Sequence, residues 1–185
     1  MITVKNIHGI IILVSFFSCN HRKNILSGIE EVIGLNPDSA SYLLADIDTS
    51  KVNVSEINYF RLLEVMAKDK SDRDISDNQI HDLTKYYESV GDFDKAALSS
   101  FYSGKIYQQN SDYKEALKSY YYTQLLEDNL SDQEIIGKSI INAGYIIFNQ
   151  KIYSEAINDL RKSLAYIPTS SRYYPSVFLF SIYRE

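Results

Sequence analysis

The sequence predicts an all-helical protein, and three observations carry that reading. Glycine and proline are scarce, at seven and three among 185 residues, and both disrupt helix interiors. Apolar residues recur at three- and four-residue spacings in one segment after another, the mark of a buried helix face. No stretch alternates apolar and polar residues for long enough to argue a strand. The length suits one domain with a real core. A net charge of −5 offers no clustered cations to displace counterions, so no nucleic-acid partner is expected.

The chain opens with Lys5 and then an apolar run, Ile10 to Phe17, beginning after Gly9. That run has signal-peptide length and falls short of the roughly 20 residues a spanning helix needs. It ends on Phe16-Phe17-Ser18-Cys19, followed by the polar and basic Asn20, His21, Arg22 and Lys23. These residues resemble the lipobox of bacterial lipoproteins, in which an apolar, a variable and a small residue precede an invariant cysteine. The resemblance implies that residues 1–18 are a signal peptide, that Cys19 is lipidated, and that it becomes the mature N-terminus. The protein would then sit in the bacterial cell envelope, exported and anchored to a membrane through Cys19. The other reading is a free, buried cysteine in a small N-terminal element.

Residues 20–35 form a linker and a short, weakly amphipathic helix from Ile25 to Leu35. An N-terminal helical region, residues 36–75, follows. Asn36-Pro37-Asp38 supplies a cap, a first-turn proline and a first-turn acid, ahead of an apolar face on Ala40, Leu43, Leu44 and Ile47. Asn53 and Glu56 have capping-box spacing before Tyr59, Leu62, Leu63, Met66 and Ala67. Lys68 to Asp74 reads as a loop or a frayed helix end. Ser76 and Gln79 have capping spacing before Ile80, Leu83, Tyr87 and Val90.

From residue 76 to 170 the sequence repeats itself. Gly104 is followed by Tyr107 three residues on, Ala116 nine later and Tyr120 four later still; Gly144, Ile147, Ala156 and Leu160 reproduce that spacing, and Pro168 closes it. Glycine and alanine lack the bulk to keep two helices apart, while Tyr107 and Tyr120 fill the space beside them. Both turns, Asn110-Ser111-Asp112 and Gln150-Lys151, precede a Tyr-x-x-Ala. A cruder echo in Gly91-Asp92-Phe93-Asp94-Lys95-Ala96 pairs Ile80 to Val90 with Phe93 to Gln109.

The pattern resembles the tetratricopeptide repeat, a helix–turn–helix unit of about 34 residues. Here Gly104 and Gly144 are 40 apart, which places the extra residues of the connection near Asp128 to Asp132. The resemblance implies a right-handed superhelical stack of antiparallel helix pairs. With the anchor cysteine, "NPDSASYLLADID" and "SDNQIHDLTKYYESVGDFDKAALSSFYSGKIYQ", most of the chain is similar to the N-terminal part of bacterial lipoproteins carrying this repeat. Residues 171–185 read as an incomplete first helix of a further repeat, which suggests truncation relative to a longer ancestor. The alternative is an apolar tail that docks back on the preceding repeat or on another protein.

No catalytic, cofactor or metal motif is present. His8, His21 and His81 are scattered, and no phosphate-binding loop, nucleophile elbow or HExxH occurs. The expected function is therefore non-enzymatic: a scaffold that binds a protein or peptide partner. The resemblance implies a groove lined by the first helix of each pair, with Phe101, Lys105 and Gln108 from one repeat and Lys138, Asn142 and Tyr145 from the next. A solvated face with no specific ligand fits those residues as well. The alternative function is the sensor portion of a signalling or transcription regulator whose output region is missing.

Overall fold

The structure, a computed structural model, describes residues 25–76 and 79–182; the expected signal segment and Cys19 lie outside the described residues. Those residues are mostly helical, with no strand among them. The chain divides into two compact units, Met1–Ile75 and Ser76–Glu185, where length alone suggested one.

In the first unit, helix α1 covers residues 25–35, α2 is Pro37–Ala45, and α3 is Val54–Lys70. Local side chains start the second and third. Ser39 N donates to Asn36 Oδ1 at 3.0 Å, and Pro37 occupies the first turn, where no N–H is needed. Asn53 and Glu56 form a reciprocal capping box. The core gathers Leu26, Ile29 and Ile33 of α1, Ala40 and Leu44 of α2, and Tyr59, Leu63 and Ala67 of α3. The Tyr59 hydroxyl donates to Glu30, which ties α3 to α1.

The second unit holds α4 (Ile80–Ser89), α5 (Phe93–Gln109), α6 (Tyr113–Leu125), α7 (Glu134–Asn149), α8 (Tyr153–Ser163) and α9 (Tyr174–Ile182). Each helix packs on the next. Helix α4 begins at Ile80, the first of the apolar positions that the sequence placed on it. The longer connection between α6 and α7 contains a 3-10 turn, Glu127–Asn129. It is held at two points: Tyr166 Oη donates to Glu127 Oε1 at 2.7 Å, and Ser131 N donates to Asp94 Oδ1 at 2.9 Å.

Three connections within the second unit are built alike. After α4, α5 and α7 the chain passes through one left-handed residue: Gly91 (φ 74°), Ser111 (φ 62°) and Lys151 (φ 66°). The next amide then reaches back over the helix end, from Asp92 to Tyr87 O (2.9 Å), Asp112 to Tyr107 O (2.9 Å) and Ile152 to Ile147 O (3.3 Å). This is the Schellman closure, which satisfies the orphan carbonyls of a helix end. It reverses the chain in three residues, so the sequence repeat corresponds to a repeated helix–turn–helix geometry. Only the first turn has glycine at the left-handed position, where a Cβ is strained.

The two repeat glycines differ in what they face. A Cβ on Gly104 would lie 2.6 Å from Tyr120 Cε1, while one on Gly144 would meet Leu160 at 3.4 Å, an ordinary contact at its near limit. Gly137, which the spacing did not single out, is as confined as Gly104: its Cβ would be 2.7 Å from Ile167 Cγ1 and 2.9 Å from Tyr166 Cβ. Ala116, Ala156, Tyr120 and Leu160 are fully buried. Pro168 is exposed, next to the buried Ile167, and its carbonyl accepts from Ser171 N at 2.8 Å. Helix α9 lies on α8, with Val177 buried among Ile141, Leu160 and Ile167, while Phe178 and Leu179 face outward.

Two outcomes follow from these contacts. Gly104→Ala and Gly137→Ala are expected to lower stability in urea unfolding by about 1–3 kcal/mol through overpacking. Gly144→Ala stays within about 1 kcal/mol of wild type, because helix propensity offsets its tighter contact. Ser111→Gly and Lys151→Gly remove left-handed strain and raise stability by about 0.5–1 kcal/mol each, read as a higher urea midpoint with an unchanged slope.

Candidate functional site

Three consecutive helices of the second unit each carry a polar stripe at helical spacing. On α4 it is His81, Thr84, Lys85 and Glu88; on α5, Ser100, Ser103 and Tyr107; on α6, Glu115, Lys118, Ser119 and Tyr122. Residues three and four apart share a helix face, and the turns at Gly91 and Ser111 bring the three faces to one groove of about 460 Å³. The floor is α5, and the small serines there leave the space open. Ser100 Oγ donates to Ser119 O at 2.8 Å, which fixes α6 along one side.

Aromatic contacts mark both ends. Where α4 starts and α5 finishes, the His81 and Tyr107 rings stack with centroids 4.2 Å apart and planes 18° apart. Where α4 and α6 finish, the Tyr122 hydroxyl donates to the Glu88 carboxylate. Partial burial, then the Glu88 hydrogen bond and its charge, push the Tyr122 phenol up from 10.0 to about 12. Along α6, Lys118 Nζ pairs with Glu115 Oε1 at 2.5 Å. Ser103, only 4% exposed, keeps its Oγ without a hydrogen-bond partner among the described residues.

The six residues that the repeat resemblance assigned to a groove line none of this space. Phe101 is 3% exposed and lies edge-on to Tyr102, so it is a core residue and not a contact surface. Gln108 Oε1 accepts from Tyr120 Oη at 2.7 Å, which draws it to the α5–α6 interface. Lys105 rests over the Phe101 ring, with Nζ 5.9 Å from its centroid. Lys138 pairs with Glu134 at 2.9 Å, Asn142 donates to Lys138 O at 2.8 Å, and Tyr145 packs against the Ile141–Leu160 cluster. Tyr107, expected to fill space between helices, is half-buried on the groove floor.

The signal for the groove was present in the sequence as polar residues at positions 81, 84, 85 and 88, serines at 100 and 103, and the stripe from 115 to 122. Each stripe alone reads as a solvated helix face. Among the described residues, no group of three or more His, Cys, Asp or Glu is placed to hold a metal ion, and no helix is long and apolar enough to cross a membrane. Comparison with protein-family models, with curated proteins and with solved structures found no match for the chain.

The Tyr122 bond has a pH signature. Its folded value lies above the ordinary one, so the neutral phenol contributes stability that is complete below pH 10 and lost as pH rises toward 12. Tyr122→Phe is expected to cost roughly 0.5–1.5 kcal/mol at neutral pH. The gap to wild type should close between about pH 10 and about pH 12 in urea titrations, following the Tyr122 ionisation.

Proposed function

We propose that this chain is a non-enzymatic helical-repeat scaffold that binds a protein segment, held at the bacterial envelope by a lipid on Cys19. In this reading the second unit is a tetratricopeptide-like stack with right-handed superhelical winding. The observation that carries the binding function is the polar groove over α5, open along its length and lined by both charge signs with an unsatisfied Ser103 hydroxyl. An extended peptide suits such a site, because its backbone alternates donors and acceptors and its side chains can meet Lys85 or Glu115. The repeat spacing and the three like turns support the architecture. The lipobox-like Phe16-Phe17-Ser18-Cys19 supports the location. A two-chain anchor holds stably at about 0.8 kcal/mol per buried methylene.

The binding function is tested with a phage-displayed peptide selected on the immobilised protein. Thr84→Trp, which fills the groove mouth, should weaken that peptide at least tenfold in calorimetry, whereas Lys114→Ala, exposed away from the groove, should leave it unchanged. Equal affinity for all three proteins would place binding elsewhere. Radiolabelled palmitate should enter the wild-type protein in cells and not Cys19→Ala; equal labelling would remove the anchor.

A further inference from the structure

The first unit holds a pocket of its own, about 220 Å³, between the start of α1, the loop after α2 and the first turns of α3. Its walls are apolar, from Ile25, Leu26, Ile47, Val52 and Phe60. Among the described residues, the polar ones lining it are all acids: Asp46, Asp48 and Glu56. Glu56 is 6% exposed. Its Oε2 accepts from Asn53 N at 3.2 Å in the capping box, which occupies one carboxylate oxygen. The other, Oε1, is buried with no hydrogen-bond partner among the described residues.

We infer that this pocket binds a small primary ammonium carrying an apolar ring or short chain. A carboxylate oxygen removed from water and left without a donor is costly, and most such atoms in proteins are satisfied by something. An N–H donor that also carries positive charge satisfies Oε1 and balances the carboxylate at once. The walls select what is attached to it, because five apolar side chains offer contact only to a hydrocarbon body. Phe60 adds an aromatic wall of the kind that favours cations. Asp46 and Asp48 add negative field and favour no neutral or anionic ligand. Size sets the upper limit: an apolar cavity of about 150 Å³ is enough for benzene, so this pocket holds one ring with an aminomethyl group. The site is independent of the groove in the second unit, and neither proposal needs the other.

Calorimetric titration of the full chain with benzylammonium chloride and with benzyl alcohol tests this. The expected result is saturable one-to-one binding of the ammonium, with the alcohol at least tenfold weaker. Glu56→Gln keeps an acceptor for the capping box and removes the charge, so it should weaken the ammonium at least tenfold. Circular dichroism melting reports whether that variant folds. Should it unfold, Val52→Trp, which fills the pocket from the loop, must abolish ammonium binding instead. Equal affinity for the alcohol, undiminished binding by a folded Glu56→Gln, or no saturable binding of the ammonium would each overturn the inference.

Discussion

The second unit depends on one contact, the ring of Tyr120 laid against the bare backbone of Gly104. No Cβ stands at that position, so a tyrosine that is fully buried reaches the axis of α5. Its hydroxyl is satisfied by Gln108 of the same helix, and Phe101 tilts against the ring at 5.9 Å between centroids. Burying so large a side chain supplies much of the apolar stabilisation of the α5–α6 pair. It also fixes the distance at which α6 runs, which lets Ser100 reach the Ser119 carbonyl. The groove follows from that spacing, since Ser119 and Tyr122 form its α6 wall.

The second repeat meets the same demand in a different way. Leu160 replaces the tyrosine, and Gly144 faces it at ordinary contact distance. The closest approach moves to Gly137, where Ile167 Cγ1 and Tyr166 Cβ come down on α7. Tyr166 is held there in turn by Glu127, from the long connection between the repeats. The extra residues of that connection thus have a structural use: they carry an acceptor across to the end of α8. A repeat with matching spacings need not have matching energetics, because the identity of one facing side chain decides where the tight contact falls.

The two units use their polar groups differently. In the first, the capping box at Asn53 and Glu56 satisfies the start of α3 while leaving one carboxylate oxygen buried without a hydrogen-bond partner among the described residues. In the second, polar side chains at the helix surface are partly engaged with one another, as in Glu115 with Lys118 and Glu88 with Tyr122. The exposed Glu115–Lys118 ion pair contributes little stability. The Glu88–Tyr122 bond also acts on shape, since it links α4 to α6 over the floor provided by α5.

What could be read from the sequence alone was what local chemistry specifies. The helical class came from the spacing of apolar residues, and the starts of α2 and α3 from Asn36 and Asn53, whose side chains cap within three residues. The tertiary structure decided what depends on which helices are neighbours. Phe101 reads as a surface position by repeat register, but Tyr102 and Tyr120 close over it. The groove was invisible for the converse reason, because three polar stripes become one site only when turns at Gly91 and Ser111 place them side by side. A side chain's own helix fixes its direction; only the partner helix fixes whether that direction leads to core, solvent or a site.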